Sequence, residues 1–125
     1  MSKEKARAHF LGQHGQRKLN CAQSVIQAFR DAFDVPAQEV DVFAAFGGGK
    51  APEGRCGAYQ AAHHLVSEKN PLKATELEQE FLAAAGSLNC KQIRSTRKLS
   101  CLGCVEKAAE LLENIQYHDK KGTLP

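Results

Sequence analysis

The sequence predicts an all-α protein, a single-domain bundle of about five to six helices with cysteines at helix N-termini. Apolar residues recur at spacings of three and four rather than two. No window shows the alternation or the β-branched run of a strand. The breaks between apolar stripes fall at Gly, Asn and Pro, residues that stop or cap helices.

The first helix is expected from Ser2 to His14, weakly amphipathic and stopped by Gly15, so that residues 1–18 form an N-terminal helix or arm. Asn20 caps the second, whose stripe is Cys21, Val25, Ile26, Phe29 and Phe33 before Val35-Pro36 ends it. A shorter helix over Ala37–Phe46 carries Val40, Phe43 and Phe46 and stops at Gly47-Gly48-Gly49. After the loop Lys50–Arg55, the alanine-rich segment Cys56–Lys69 allows close packing, with Cys56, Tyr59 or Gln60, His63 and Val66 along one side. Asn70-Pro71 punctuates, and Leu72–Ala85 is expected as an amphipathic helix with Leu77, Phe81, Leu82 and Ala85 inward, ending at Gly86. Asn89-Cys90 starts a short helical turn containing Ile93, and the basic stretch Arg94–Lys98 reads as a surface loop. The last helix begins at Ser100-Cys101, turns Cys101, Val105, Ala108, Leu111, Leu112 and Ile115 inward, and frays into a flexible polar tail over His118–Pro125.

A chain of this length buries a real core without disulfide staples. It holds 5 cysteines, an odd number, and its first residues are charged where a signal peptide needs an apolar region, so a reducing cytoplasm is expected. No apolar run approaches the ~20 residues of a membrane span. The net charge of +3 comes from mixed acidic and basic residues and gives a nucleic-acid role little support.

Asn20-Cys21, Asn89-Cys90 and Ser100-Cys101 each place a thiol directly after a good capping residue. At the first helical position, unpaired N–H groups and the positive end of the dipole favour a thiolate, and Lys91, Arg94, Arg97 and Lys98 add positive charge nearby. Core filling alone gives a cysteine no reason to prefer that position. His9, His14 and His118 read as solvent-facing, and His63 lies two helical turns, ~10 Å, from Cys56, as a proton carrier or a structural histidine. The glycine run lacks the strand before it and the Lys-Ser/Thr after it that a phosphate loop needs. It reads instead as bare backbone near Cys56. Cys101 and Cys104 form one C-x-x-C with no second knuckle for a zinc ribbon, no following His for haem attachment and no βαβ pattern for a thioredoxin.

These residues are familiar together. Asn20 to Val25, Phe46 to Gly49 leading to Cys56-Gly57-Ala58, Gly86 to Cys90, and Cys101 with Val105 to Glu110 resemble the redox-active protein family named for its C-GCAxxG-C-C signature. The resemblance implies one small helical domain in which Cys21, Cys56, Cys90 and Cys101 are the redox-active or metal-holding positions. Cys104 falls where the family is apolar and is set aside as an extra. Ala61 replaces a glycine usual in the family.

The leading expectation is a cytoplasmic redox-active protein in which these four cysteines converge for thiol/disulfide or electron-transfer chemistry, with an unknown redox partner. An iron-sulfur cluster or zinc is the candidate cofactor, held by the four cysteines and faced by Gly47, Gly48, Gly49 and Gly57. Four cysteines spread over four segments suit a shared ligand better than a local dithiol. The alternative is a helical binding module with structural cysteines and a basic contact loop over Lys91–Lys98. A third reading is a thiol-dependent enzyme using His63, and a homodimer stays open.

Overall fold

Capping side chains set where the helices of this chain begin. The computed structural model describes residues 2–13, 15, 18–47 and 50–122. Among them seven α-helices form: α1 (Ser2–Leu11), α2 (Cys21–Phe29), α3 (Gln38–Val42), α4 (Gly57–Ser67), α5 (Pro71–Ala85), α6 (Cys90–Thr96) and α7 (Cys101–Gly122). Short 3₁₀ turns occupy Phe43–Phe46 and Pro52–Gly54. The sole extended pairing among the described residues is one antiparallel bridge between Arg55 and Asn89.

The all-helical reading holds, with more helices than the expected five to six or so. The reason lies at α6, where the basic stretch closes as helix to Thr96 before Arg97 takes a left-handed φ of 58°. At α2, the Asn20 side chain accepts from the Gln23 N–H at 2.8 Å, while Gln23 Oε1 accepts from the Asn20 N–H at 3.2 Å. This reciprocal pair is a capping box. Asn70 starts α5 by accepting from the Lys73 N–H at 3.3 Å, with Pro71 in the first turn, and Asn89 accepts from the Gln92 N–H at 3.2 Å to start α6. At α7 the Ser100 hydroxyl accepts from the Gly103 N–H at 2.9 Å.

The first helix stops earlier than the glycine at position 15 implied. Gly12 takes a φ of +68°, and the chain turns there, with the Gln13 N–H donating to the Ala8 carbonyl at 2.9 Å. His14 lies outside the described residues. The backbone of α7 continues helical to Gly122, beyond the expected start of the tail at His118.

Helices α2, α4 and α7 pack against one another; α1 covers α2 and α7, and α5 covers α4 and α7. Between them lie Ile26, Phe29, Tyr59, Leu65, Leu77, Phe81, Val105 and Leu112, all buried. Each such large side chain contributes about 1.5–3 kcal/mol of apolar burial. Ala58, Ala61 and Ala62 let α4 approach its neighbours closely. Two polar groups enter this core with partners: the Ser24 hydroxyl donates to the Asn20 carbonyl at 2.7 Å, and the Tyr59 hydroxyl donates to Glu78 at 2.9 Å.

Two expected orientations change. Leu82 is 43% exposed, because α5 buries Ala74, Leu77, Phe81 and Ala85 and that stripe leaves Leu82 on its flank. His9 is buried rather than solvent-facing, since α1 lies against α2 and α7. Helix α6 shares few contacts with the other helices. Its approach is held by the bridge at Asn89, by the Cys56 N–H donating to the Leu88 carbonyl at 2.7 Å, and by buried Ile93. No helix among the described residues is long and apolar enough to cross a membrane.

Asn20 also donates from Nδ2 to the Ala44 carbonyl at 2.9 Å, which Asn70 has no counterpart for among the described contacts. Asn20→Ala is therefore expected to lower unfolding free energy by about 1–2 kcal/mol and Asn70→Ala by about 0.5–1 kcal/mol, read by urea denaturation.

Candidate functional site

The same caps that start the helices aim their sulfurs. Cys21, Cys90 and Cys101 are the first residues of α2, α6 and α7. Cys56 is one residue earlier in register than expected: it is the cap of α4, in extended conformation with φ −61° and ψ 129°, and the helix starts at Gly57. These helix starts, drawn from distant parts of the chain, border one small cavity of about 20 Å³. That is room for about one water. Cys21, Cys56, Cys90, Cys101 and Cys104 all line it, together with Gly57, Ile93, Arg94, Leu99 and Ser100. Cys104, set aside on the sequence pattern, is thus part of the site; its place one turn after Cys101 was the signal that could have found it.

Glycines make this convergence sterically feasible. A Cβ on Gly57 would stand 2.6 Å from the Phe46 carbonyl oxygen and 2.8 Å from the Cys21 sulfur, so only glycine lets α4 begin this close to α2. Gly47 does not line the cavity; a Cβ there would meet Asn20 Nδ2 at 2.8 Å. Gly54, at φ +71°, lies similarly under Asn89, whose Nδ2 a Cβ would meet at 2.9 Å. Gly47 and Gly54 therefore make room for the asparagines that cap the cysteine helices. Gly48 and Gly49 lie outside the described residues.

No disulfide joins the five cysteines. Cys56, Cys90 and Cys104 are buried, while Cys21 and Cys101 are half-buried. The expectation that helix starts and basic residues would favour thiolates fails for Cys90. Burial pushes its thiol pKa up and nearby Cys56, Cys101 and Cys21 add to the rise, outweighing the opposing pull of Arg94. The Cys56 thiol is pushed far higher still, first by a hydrogen bond to Cys104 that keeps the proton on Cys56, then by burial. The N–H groups of Ala58 and Tyr59 pull the other way without closing a cap hydrogen bond.

Of the basic stretch, Arg94 reaches the site: its Nη2 donates to the Cys101 sulfur at 3.5 Å. Lys98 turns away, with Nζ 3.5 Å from the Ala83 carbonyl oxygen. His63 is not in the cavity wall; its ring packs against Tyr59 with centroids 5.7 Å apart. His64 pairs with Glu39 at 3.4 Å and Glu68 at 3.7 Å.

Soft thiolates are the donors that zinc and iron-sulfur clusters take. Among the described residues, however, no three Cys, His, Asp or Glu side chains stand close enough together to hold an ion. The site matches such a group in chemistry and not in spacing.

Residues 19–115 match a family model described as "Putative redox-active protein (C_GCAxxG_C_C)". No curated protein and no solved structure matches the chain.

Two outcomes test this geometry. The folded state keeps its proton on Cys56 at pH values where an unfolded thiol, with a pKa of about 8.5, gives it up. Stability is therefore full below about pH 8 and falls as pH rises further, by up to about 1.4 kcal/mol per pH unit for this thiol. Urea denaturation between about pH 8 and 9.5 is expected to show that decline and a flatter one in Cys56→Ala. Gly57→Ala is expected to cost about 1–3 kcal/mol through overpacking and to change the alkylation rate of Cys21, measured by peptide mass spectrometry.

Proposed function

Because the chain belongs to the C_GCAxxG_C_C family of redox-active proteins, we propose that it works by thiol/disulfide exchange through Cys21, Cys56, Cys90 and Cys101. The observation that carries this reading is the meeting of four cysteine-bearing helix starts at one cavity. A shared apolar cavity excludes bulk water and collects cysteines from distant parts of the chain at one wall, and disulfide formation requires such an approach.

The cysteines are not equivalent, and the inequality gives an order. Cys101 is half-buried, opens a helix and accepts from the Arg94 guanidinium, so it stands where a partner reaches it. Cys56 and Cys90 are buried and hold their protons, so they act after the first encounter rather than in it. Each disulfide formed within the protein sends two electrons and two protons to an oxidised partner. The reverse reaction returns them. The setting is a reducing compartment such as the cytoplasm, and the partner is a disulfide, small or on another protein.

A second reading rests on the donor set itself. Zinc or an iron-sulfur cluster would be held by the same four cysteines, faced by Gly57, and would supply a fixed charge or one-electron chemistry there. The mismatch in spacing ranks it second. A binding module with a basic contact loop ranks lower, because Arg94 and Lys98 are turned to internal partners.

The test is anaerobic purification, metal analysis, and titration of the reduced protein with glutathione disulfide followed by alkylation and mass spectrometry. Exchange predicts reversible loss of at least one pair of alkylatable thiols and slower loss in Cys101→Ser. Thiols that stay fully alkylatable under oxidant would sink the exchange reading, and stoichiometric iron or zinc would put the metal reading first.

A further inference from the structure

We propose that Cys104, outside the four-cysteine signature, is a fifth redox position that resolves mixed disulfides formed at Cys101. Cys101 and Cys104 occupy the first turn of α7 and both line the cavity. Helix geometry sets their Cα atoms about 5 Å apart. Disulfides form across about 4.4–6.8 Å. The turn is pinned by Ser100, whose hydroxyl accepts from the Gly103 N–H at 2.9 Å and whose carbonyl accepts from the Cys104 N–H at 2.9 Å.

Access divides the two thiols into roles. Cys101 is half-buried, with Arg94 Nη2 at 3.5 Å, and is open to an incoming disulfide. Cys104 is 3% exposed, shielded from that disulfide yet one turn from the sulfur it must attack. First, the Cys101 thiolate attacks one sulfur of the partner disulfide; a Cys101–partner bond forms, the partner S–S bond breaks, and one partner thiol leaves with the proton Cys101 gave up. The Cys104 thiolate then attacks the Cys101 sulfur. The Cys101–Cys104 bond forms, the mixed disulfide breaks, and the second partner thiol leaves with the proton from Cys104. Two electrons pass from the protein thiols to the partner disulfide.

The inference rests on the exchange reading above, and the experiment separates the two. The reduced full chain is treated with glutathione disulfide, quenched with an alkylating agent, and mapped by peptide mass spectrometry. The wild type is expected to yield a Cys101–Cys104 disulfide with little glutathione retained. Cys104→Ala is expected to lose that product and keep glutathione on Cys101, and Cys101→Ser to lose the adduct at this turn. Wild-type protein oxidised only among Cys21, Cys56, Cys90 and Cys101, with Cys104 still alkylatable, would overturn this inference alone. So would Cys104→Ala clearing its adduct as fast as the wild type. If Cys104→Ala does not fold, the wild-type disulfide map decides. No adduct or disulfide at any cysteine would overturn the exchange reading and this inference with it.

Discussion

The first residue of α4 lies directly against the first residues of α2, and the cysteine site depends on that contact. At Gly57 there is no space for a side chain, because the Phe46 carbonyl oxygen and the Cys21 sulfur already occupy it. This contact sets Cys56, the residue just before, beside the cavity that Cys21 also borders. It also fixes where α4 runs, and through Ala58, Ala61 and Ala62 how closely α2 and α7 pack on it. A missing methyl group thus does as much for the site as any sulfur.

Crowding thiols has an electrostatic cost that helix starts alone do not overcome. Each helix start favours an anion by a fraction of a kcal/mol to about 1 kcal/mol. Burial and neighbouring sulfurs work against it, and at Cys56 and Cys90 they win. One guanidinium, that of Arg94, reaches the sulfurs, and it stands at the more open side by Cys101. The result is an unequal set in which half-buried Cys101 has the cation beside it and buried Cys56 and Cys90 hold their protons.

What the sequence made legible was local. Caps act over three residues, so Asn20, Asn89 and Ser100 mark three helix starts within a residue or so. The stripes of α2 and α7 announced which faces turn inward. Features that need a second segment of chain were not readable: the direction of the Cys90 shift depends on burial by other helices, and His9 is covered only because α1 lies against two of them. The glycine run drew attention as backbone near a cofactor, yet Gly47 serves the Asn20 cap. Cys104 has no role in the family pattern, although its spacing from Cys101 places it one helical turn away.

The thin attachment of α6 has a consequence for rates. This helix carries Cys90 and Arg94, two walls of the cavity, yet touches the rest of the bundle mainly through its leading residues and Ile93. A segment with so few packed neighbours opens at lower free energy than the body it rests on. Local opening of this one short helix would uncover the sulfurs it covers. The tempo of the buried thiols would be that of a door, set by the hydrogen bond at Leu88 and the seat of Ile93, rather than by the reactivity of sulfur itself.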